Sequence, residues 1–173
     1  MTSIDLQPVL TGNIVKLRPL RIDDFEPLYQ IASDPLIWEQ HPSPLRFKRD
    51  VFETQIFSTG ITSKSTLVVL IKQTSQIIGS SRFYDVDENN LELAIGFTFL
   101  ARSHWGGLFN QEIKSLMLNH AFTWARRVWF HVGSNNIRSC RALEKIGAKL
   151  SRTAPRPVNG QPLEHCYYYI DKA

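Results

Sequence analysis

The sequence predicts a single α/β (α+β) domain built on a mixed, mostly antiparallel twisted sheet flanked by helices. Three observations lead there. Strand-like and helix-like runs follow one another in the order β-α-α-β-β-β-α-β-α-β-β. In the middle of the chain, three strand-like runs are separated only by short turns, the pattern of an antiparallel meander. After Leu100 a long amphipathic helix precedes the next strand, which makes a crossover connection. The chain has 173 residues, 43% hydrophobic and 21% charged, enough for one domain with a sizeable core, read as spanning residues 1–173.

Each element has its own signal. Residues 13–18 (NIVKLR) alternate apolar and polar and read as a strand. Asp23-Asp24 then opens a helix whose apolar residues Phe25, Leu28, Tyr29 and Ala32 fall at i, i+3, i+4 and i+7, and Asp34-Pro35 stops it. The segment His41-Pro42-Ser43-Pro44 cannot be regular, and a second helix is expected over 48–58. Strands are expected at 67–71, 77–84 and 91–100, the last entered through the turn Asp87-Glu88-Asn89-Asn90. A glycine-containing loop, 101–108, leads into a long helix with Ile113, Leu116, Met117, His120, Ala121 and Trp124 on one face. A strand at 128–132 follows, then a helix over about 136–146 closed by Gly147, and final strands at 149–153 and 165–170 around a Pro/Gly loop containing Asn159-Gly160.

Composition excludes several classes. The longest unbroken aliphatic run, Leu67 to Ile71, falls far short of the roughly 20 residues that span a bilayer. Met1 to Pro8 has no basic stretch and no apolar core, so no secretory signal is read there and a cytoplasmic protein is expected. Two cysteines, Cys140 and Cys166, make no disulfide framework, and the five histidines show no paired spacing for a metal, so none is expected. The net charge of +4 is uneven: 9 basic and 12 acidic residues up to Leu100 give −3, whereas 11 basic and 4 acidic residues from Ala101 onward give +7. That asymmetry hints at an anionic partner for the second half.

The informative junction is the strand–loop–helix stretch Phe99-Leu100-Ala101-Arg102-Ser103-His104-Trp105-Gly106-Gly107-Leu108-Phe109-Asn110-Gln111-Glu112. Free backbone N–H groups at a helix start, approached closely through glycines, make a phosphate site physically reasonable. The loop is neither G-x-x-x-x-G-K-[ST] nor G-x-G-x-x-G. A second crossover carries the run Asn135-Asn136-Ile137-Arg138-Ser139-Cys140-Arg141-Ala142-Leu143-Glu144-Lys145-Ile146-Gly147-Ala148.

Taken with Leu17-Arg18-Pro19-Leu20 and Ile78-Gly79-Ser80-Ser81-Arg82, these stretches resemble the GNAT acyl-CoA N-acyltransferase superfamily. The closer likeness is to its ribosomal-protein N-terminal acetyltransferase (RimJ/RimL-like) branch, and it covers essentially the whole chain. The resemblance implies a sheet whose fourth and fifth strands splay apart, and acetyl-CoA as co-substrate. By position, the amides of Trp105, Gly106, Gly107, Leu108, Phe109 and Asn110, with Arg102 nearby, would hold the pyrophosphate. Main chain from Phe97 through Thr98 and Phe99 to Leu100 would pair with the pantetheine arm. Asn136 matches an asparagine that bonds to that arm, and Arg138, Arg141 and Lys145 would meet the cofactor's phosphates.

The family pattern is broken in three places. Leu108 stands where a second small residue is usual, Ala142 and Leu143 where a thiolate-protonating tyrosine is usual, and Ala94 where many relatives have glutamate. Ser139 is then the candidate thiol-side acid and Glu92, two residues before Ala94 and so on the same face of the strand, the candidate base. Trp38, Glu39 and His41 would line the acceptor groove. The expected activity is direct acetyl transfer from acetyl-CoA to a primary amine, a protein N-terminal α-amine or a small-molecule amine, with the oxyanion met by a main-chain N–H near Phe99. A module that binds acyl-CoA with weak or no transfer is the rival. A nucleic-acid partner for the +7 half is disfavoured, no membrane association is expected, and a homodimer is left open.

Overall fold

Eight strands run in chain order as β1 (Leu10–Thr11), β2 (Val15–Pro19), β3 (Thr66–Ile71), β4 (Ile77–Asp87), β5 (Glu92–Leu100), β6 (Arg127–Gly133), β7 (Lys149–Val158) and β8 (Gln161–Asp171) in a computed structural model that describes residues 3–173. They form one sheet in the order β1-β2-β3-β4-β5-β6-β8-β7. Every neighbouring pair is antiparallel except β5 and β6, which run parallel. The helices are α1 (Phe25–Ala32), α2 (Arg49–Phe52), α3 (Ser58–Ser63), α4 (Leu108–Ala121) and α5 (Ile137–Lys145). A π-helical turn, Glu53–Phe57, joins α2 to α3, so helical backbone runs on from 49 to 63, five residues past the expected end.

Helices cover both faces of the sheet. Along β3, Leu67 and Val69 belong to the core beneath α4 and α5, with Ile113, Met117 and Leu143. Val68 points the other way, into a second core with Leu28, Trp38, Phe52 and Phe99. This two-sided burial is why the segment reads as a continuous aliphatic run instead of an alternating one. The Glu112 carboxylate ties α4 to the sheet edge by accepting N–H bonds from Asn13 (2.6 Å), Ile14 (2.8 Å) and Val15 (2.8 Å). Both cysteines are free thiols, Cys140 buried and Cys166 half-buried.

Two further features depart from the sequence expectation. The short edge strand β1 was not anticipated. The C-terminal pair is a long hairpin, not two short strands around a loop: Asn159 (φ 51°) and Gly160 (φ 78°) make a two-residue turn, and pairing runs from Val158↔Gln161 to Lys149↔Tyr169. Prolines at 155, 157 and 162 argue against strands, but β7 is the outer edge of the sheet, where an imino nitrogen can face solvent. Pro162 lies beyond the stretch of β8 that pairs with β6, which ends at His165.

Candidate active site

The parallel pair β5/β6 is short. It holds only at Glu92↔Arg127, Leu93↔Val128 and Ala94↔Trp129. Past that point β5 stays with β4 and β6 with β8, so the backbone edge of residues 95–100 has no strand beside it. A cavity of about 260 Å³ opens in this gap. β5 is bent there by a bulge: the register with β4 shifts between Ser80 and Arg82, and Phe97 takes a left-handed φ of 51°. A bulky residue at positive φ is strained backbone of the kind that clusters at functional sites. Gly79 makes room for the bend, because a Cβ there would lie 2.0 Å from the Phe99 carbonyl oxygen.

The mouth of the gap is the loop before α4. Gly106 has φ +69°, and neither Gly106 nor Gly107 has an atom within 4 Å of where a Cβ would be. Gly107 caps α4 without a side-chain hydrogen bond, which leaves first-turn N–H groups free for an anion. Leu108 turns its side chain to solvent, 69% exposed, so its bulk lies away from the approach. Trp105, Gly106 and Asn110 line the cavity, as do Phe97, Thr98, Phe99 and Leu100, whereas Gly107 and Phe109 stand outside the lining. The Trp105 indole N–H donates to the Leu100 carbonyl at 3.0 Å.

On the opposite wall Asn136, buried at the start of α5, accepts the Ser139 N–H at 3.4 Å, and both residues line the cavity. Arg138 also lines the cavity. Its guanidinium stacks 3.9 Å over Trp105 and donates to the Ile37 carbonyl at 3.1 Å, which ties α5 to the loop and to the 35–41 segment. Arg102 pairs with Asp34 outside the cavity, and Arg141 and Lys145 are exposed.

The remaining wall is aromatic and cationic. Trp38 packs 5.3 Å from Phe99 and 5.7 Å from His41, and all three line the cavity. Beside them Arg46 is 8% exposed; its Nε donates to Gln55 Oε1 at 3.0 Å and its Nη1 lies 3.1 Å from His41 Nε2. Burial, and next the charge of Arg46, hold the His41 imidazole neutral with a pKa of about 3. Lys114, from the second turn of α4, is 6% exposed and donates to Thr98 Oγ1 at 2.7 Å, with the Phe130 ring 5.8 Å away. Thr98 in turn bonds to Ser81 Oγ at 2.7 Å. Desolvation pushes the Lys114 ammonium down to about 7.

Neither Lys114 nor Arg46 stands out in the sequence. Lys114 could have been found, since it shares a helical stripe with Met117 and Ala121 at i+3 and i+7. Arg46 lies in a segment without periodicity and leaves no such trace.

Glu92 does not join the site. It lies at the start of β5, before the strands part, where its carboxylate accepts the Trp129 indole N–H at 2.7 Å and stands 3.7 Å from Arg126. The parity argument put it on the right face of the strand but too far along it. No Asp or Glu lines the cavity, and among the described residues no group of three His, Cys, Asp or Glu is placed to hold a metal.

Comparison with known proteins agrees with this geometry. The model of the acetyltransferase (GNAT) domain matches residues 15–149. An uncharacterised N-acetyltransferase, p20, of Bacillus licheniformis is 27% identical over 113 residues; the match spans 62% of this chain and 62% of that protein. A Vibrio cholerae structure provisionally described as a ribosomal-protein-serine acetyltransferase aligns at TM-score 0.77 and 14% identity over 98% of this chain and all 100% of its own. The spermidine N-acetyltransferase of Vibrio cholerae, solved with CoA and spermine, aligns at TM-score 0.70 and 18% identity, covering 92% of this chain and 96% of that one.

Proposed function

This chain belongs to the acetyltransferase (GNAT) family, and from that footing we propose that it transfers the acetyl group of acetyl-CoA to a primary amine. The observation that carries the reading is the parting of β5 and β6 with a free helix start at its mouth. The donors present suit the co-substrate: open space beside Gly106 and Gly107 for a pyrophosphate, an unpaired strand edge for an amide-bearing arm, and Asn136 on the facing wall.

Bound there, acetyl-CoA supplies an activated acetyl carbon and a thiolate leaving group, so one C–N bond forms as one C–S bond breaks. The amine enters neutral and its surplus proton leaves through water, since no carboxylate borders the cavity. Main chain near Phe99, turned by the bulge, is suited to donate an N–H to the carbonyl oxygen. Lys114 lies between Thr98 and Phe130 with no carboxylate beside it, and in its protonated form it would stabilise or protonate the departing sulfur in place of the missing tyrosine. Ser139, on the cavity wall, is a second candidate donor, through its hydroxyl, within the same site.

The finer assignment to ribosomal-protein N-terminal acetylation has support in the ordered motifs and in the Vibrio cholerae likeness. Acetylation of a small amine has comparable support in the spermidine N-acetyltransferase. Calorimetry with acetyl-CoA and thiol release with a panel of peptides and small amines test the proposal. Saturable binding plus amine-dependent thiol release is expected. Binding without release from any amine would instead favour an acyl-CoA-binding module, and no binding at all would sink both.

A further inference from the structure

Three buried basic side chains surround the inner cavity, and among the described residues none has a counter-ion. Arg46 and Lys114 line it, and Arg82, 5% exposed, stacks 4.1 Å over the Phe97 ring that Arg46 approaches from 5.9 Å. None of the three takes part in any ion pair among the described residues. Arg82 is satisfied by Thr66 Oγ1, the Ile56 carbonyl and Thr59 Oγ1, so its charge is held in place by neutral oxygens. Burial, and then the charge of Arg82, lower the Arg46 pKa to about 10, so the cation persists at neutral pH.

Arg46 has unfilled donor capacity. Its Nε and Nη1 are engaged by Gln55 and His41, while Nη2 has no hydrogen-bond partner among the described residues. Arg46 lines the cavity, and because no fully buried side-chain nitrogen or oxygen among the described residues lacks a partner, its free Nη2 keeps accessible surface. Burying an unpaired charge is costly and is tolerated where an anion completes it. The pyrophosphate of the co-substrate is not that anion, because its expected seat is the Gly106–Asn110 loop and not the Trp38–His41–Phe97 wall where Arg46 stands.

Resting on the acetyltransferase reading, we propose that the acceptor is a primary amine that also bears a carboxylate, and that the free face of Arg46 receives that carboxylate. A planar guanidinium with an open edge is matched to a carboxylate. The volume of about 260 Å³ has to hold the end of the pantetheine arm as well, which favours an acceptor of amino-acid size. The same wall rejects polycations: a polyamine would bring further positive charge beside Arg46 and Lys114 with no acid to receive it.

The test uses the full chain with matched acceptors: free amino acids and their α-amides, peptides beginning with Asp or Glu and those beginning with Asn or Gln, and spermidine. Thiol release is expected to favour each carboxylate over its neutral partner by about tenfold to a hundredfold in kcat/KM, the worth of a charged hydrogen bond. The peptide pairs separate a free α-carboxylate from one on a side chain. Arg46→Gln should bring that ratio close to one, chiefly through KM, and Arg46→Lys should restore part of it.

Calorimetry of the CoA-bound protein with the same pairs gives a readout free of turnover. Carboxylate binding without thiol release would overturn the transferase reading while sustaining the carboxylate site. Equal use or equal binding of carboxylate and amide, or spermidine as the best acceptor, would overturn the carboxylate site while leaving acetyl transfer intact. If no amine is bound or acetylated, both fall.

Discussion

Lys114 concentrates the conflict between stability and function in one side chain. It occupies a helix position flanked by core residues, with a threonine hydroxyl as its hydrogen-bond partner and no carboxylate, and burial lowers its pKa to about 7 from 10.5. A group whose folded pKa is depressed in this way binds its proton more tightly in the unfolded chain. Between about pH 7 and 10.5 the unfolded state therefore holds the extra proton, and the native protein gains stability as pH rises through that window. Lys114→Met keeps the length and removes the charge. It is expected to raise the melting temperature at pH 7 and to flatten the rise in stability between pH 7 and 10, while lowering thiol release by about two orders of magnitude. Thermal denaturation at several pH values, with kinetics on the same preparations, checks both halves. Full activity in the variant would remove Lys114 from the chemistry and leave it as an unexplained buried charge.

At the level of elements, the site depends on a strand that is bent on purpose. The bulge in β5 turns Phe97 toward Arg46 and Arg82 and frees the strand edge, and Gly79 on β4 is what permits it. Gly79→Ala would drive a methyl to 2.0 Å from the Phe99 carbonyl, an approach that only backbone movement can relieve. The expected cost is about 2 kcal/mol or more in urea denaturation, with a disproportionate loss of acetyl-CoA binding because the strand that moves is the one lining the gap. Unchanged affinity in a destabilised variant would show that the bulge is not what shapes the site.

The sequence discloses the strand but not its bend. Residues 91–100 read correctly as β structure from their apolar content, whereas the bulge arises from pairing with a strand that contains Gly79, a long-range relation that no local pattern records. The terminal strands read shorter than they are for a similar reason. Pro155 and Pro157 argue against a strand unless that strand is known to be the outer one, and strand order is a property of the sheet.

Seen whole, the molecule is two groups of strands joined along a narrow seam. β1 to β5 form one side and β6 to β8 the other, joined by three parallel register pairs and by side chains that cross the seam, among them Tyr84 to His131, Arg156 to Asp85, and Arg138 to Trp105 and Ile37. This explains why the Trp105–Asn110 loop and the Asn136 turn, and with them Trp38 and His41, could be named from sequence as site residues, whereas Arg46 and Lys114 could not. The Trp105–Asn110 loop and the Asn136 turn are local motifs, each formed by consecutive residues. The inner cavity draws Arg46, Phe97, Lys114 and His131 from four separate stretches of the chain. The excess of basic charge after Ala101 is likewise only partly tied to the site: Arg138 and Lys114 border the cavity, while Arg102 and Arg127 are spent on Asp34 and Asp171.

A ligand lying in the seam touches both groups and replaces the strand pairing that the splay leaves unmade. Binding to the native state alone stabilises it by RT ln(1 + [L]/Kd), about 2.7 kcal/mol at a hundredfold excess over Kd. Acetyl-CoA is therefore expected to raise the melting temperature in a concentration-dependent manner. Hydrogen exchange should slow most along β5 from Ile95 to Leu100 and at the start of α5, with little change in the β7/β8 hairpin. Protection spread evenly over the sheet would mean that the ligand stabilises without bridging. Protection confined to α4 would place the whole ligand on the outer loop and deny the gap between β5 and β6 its role.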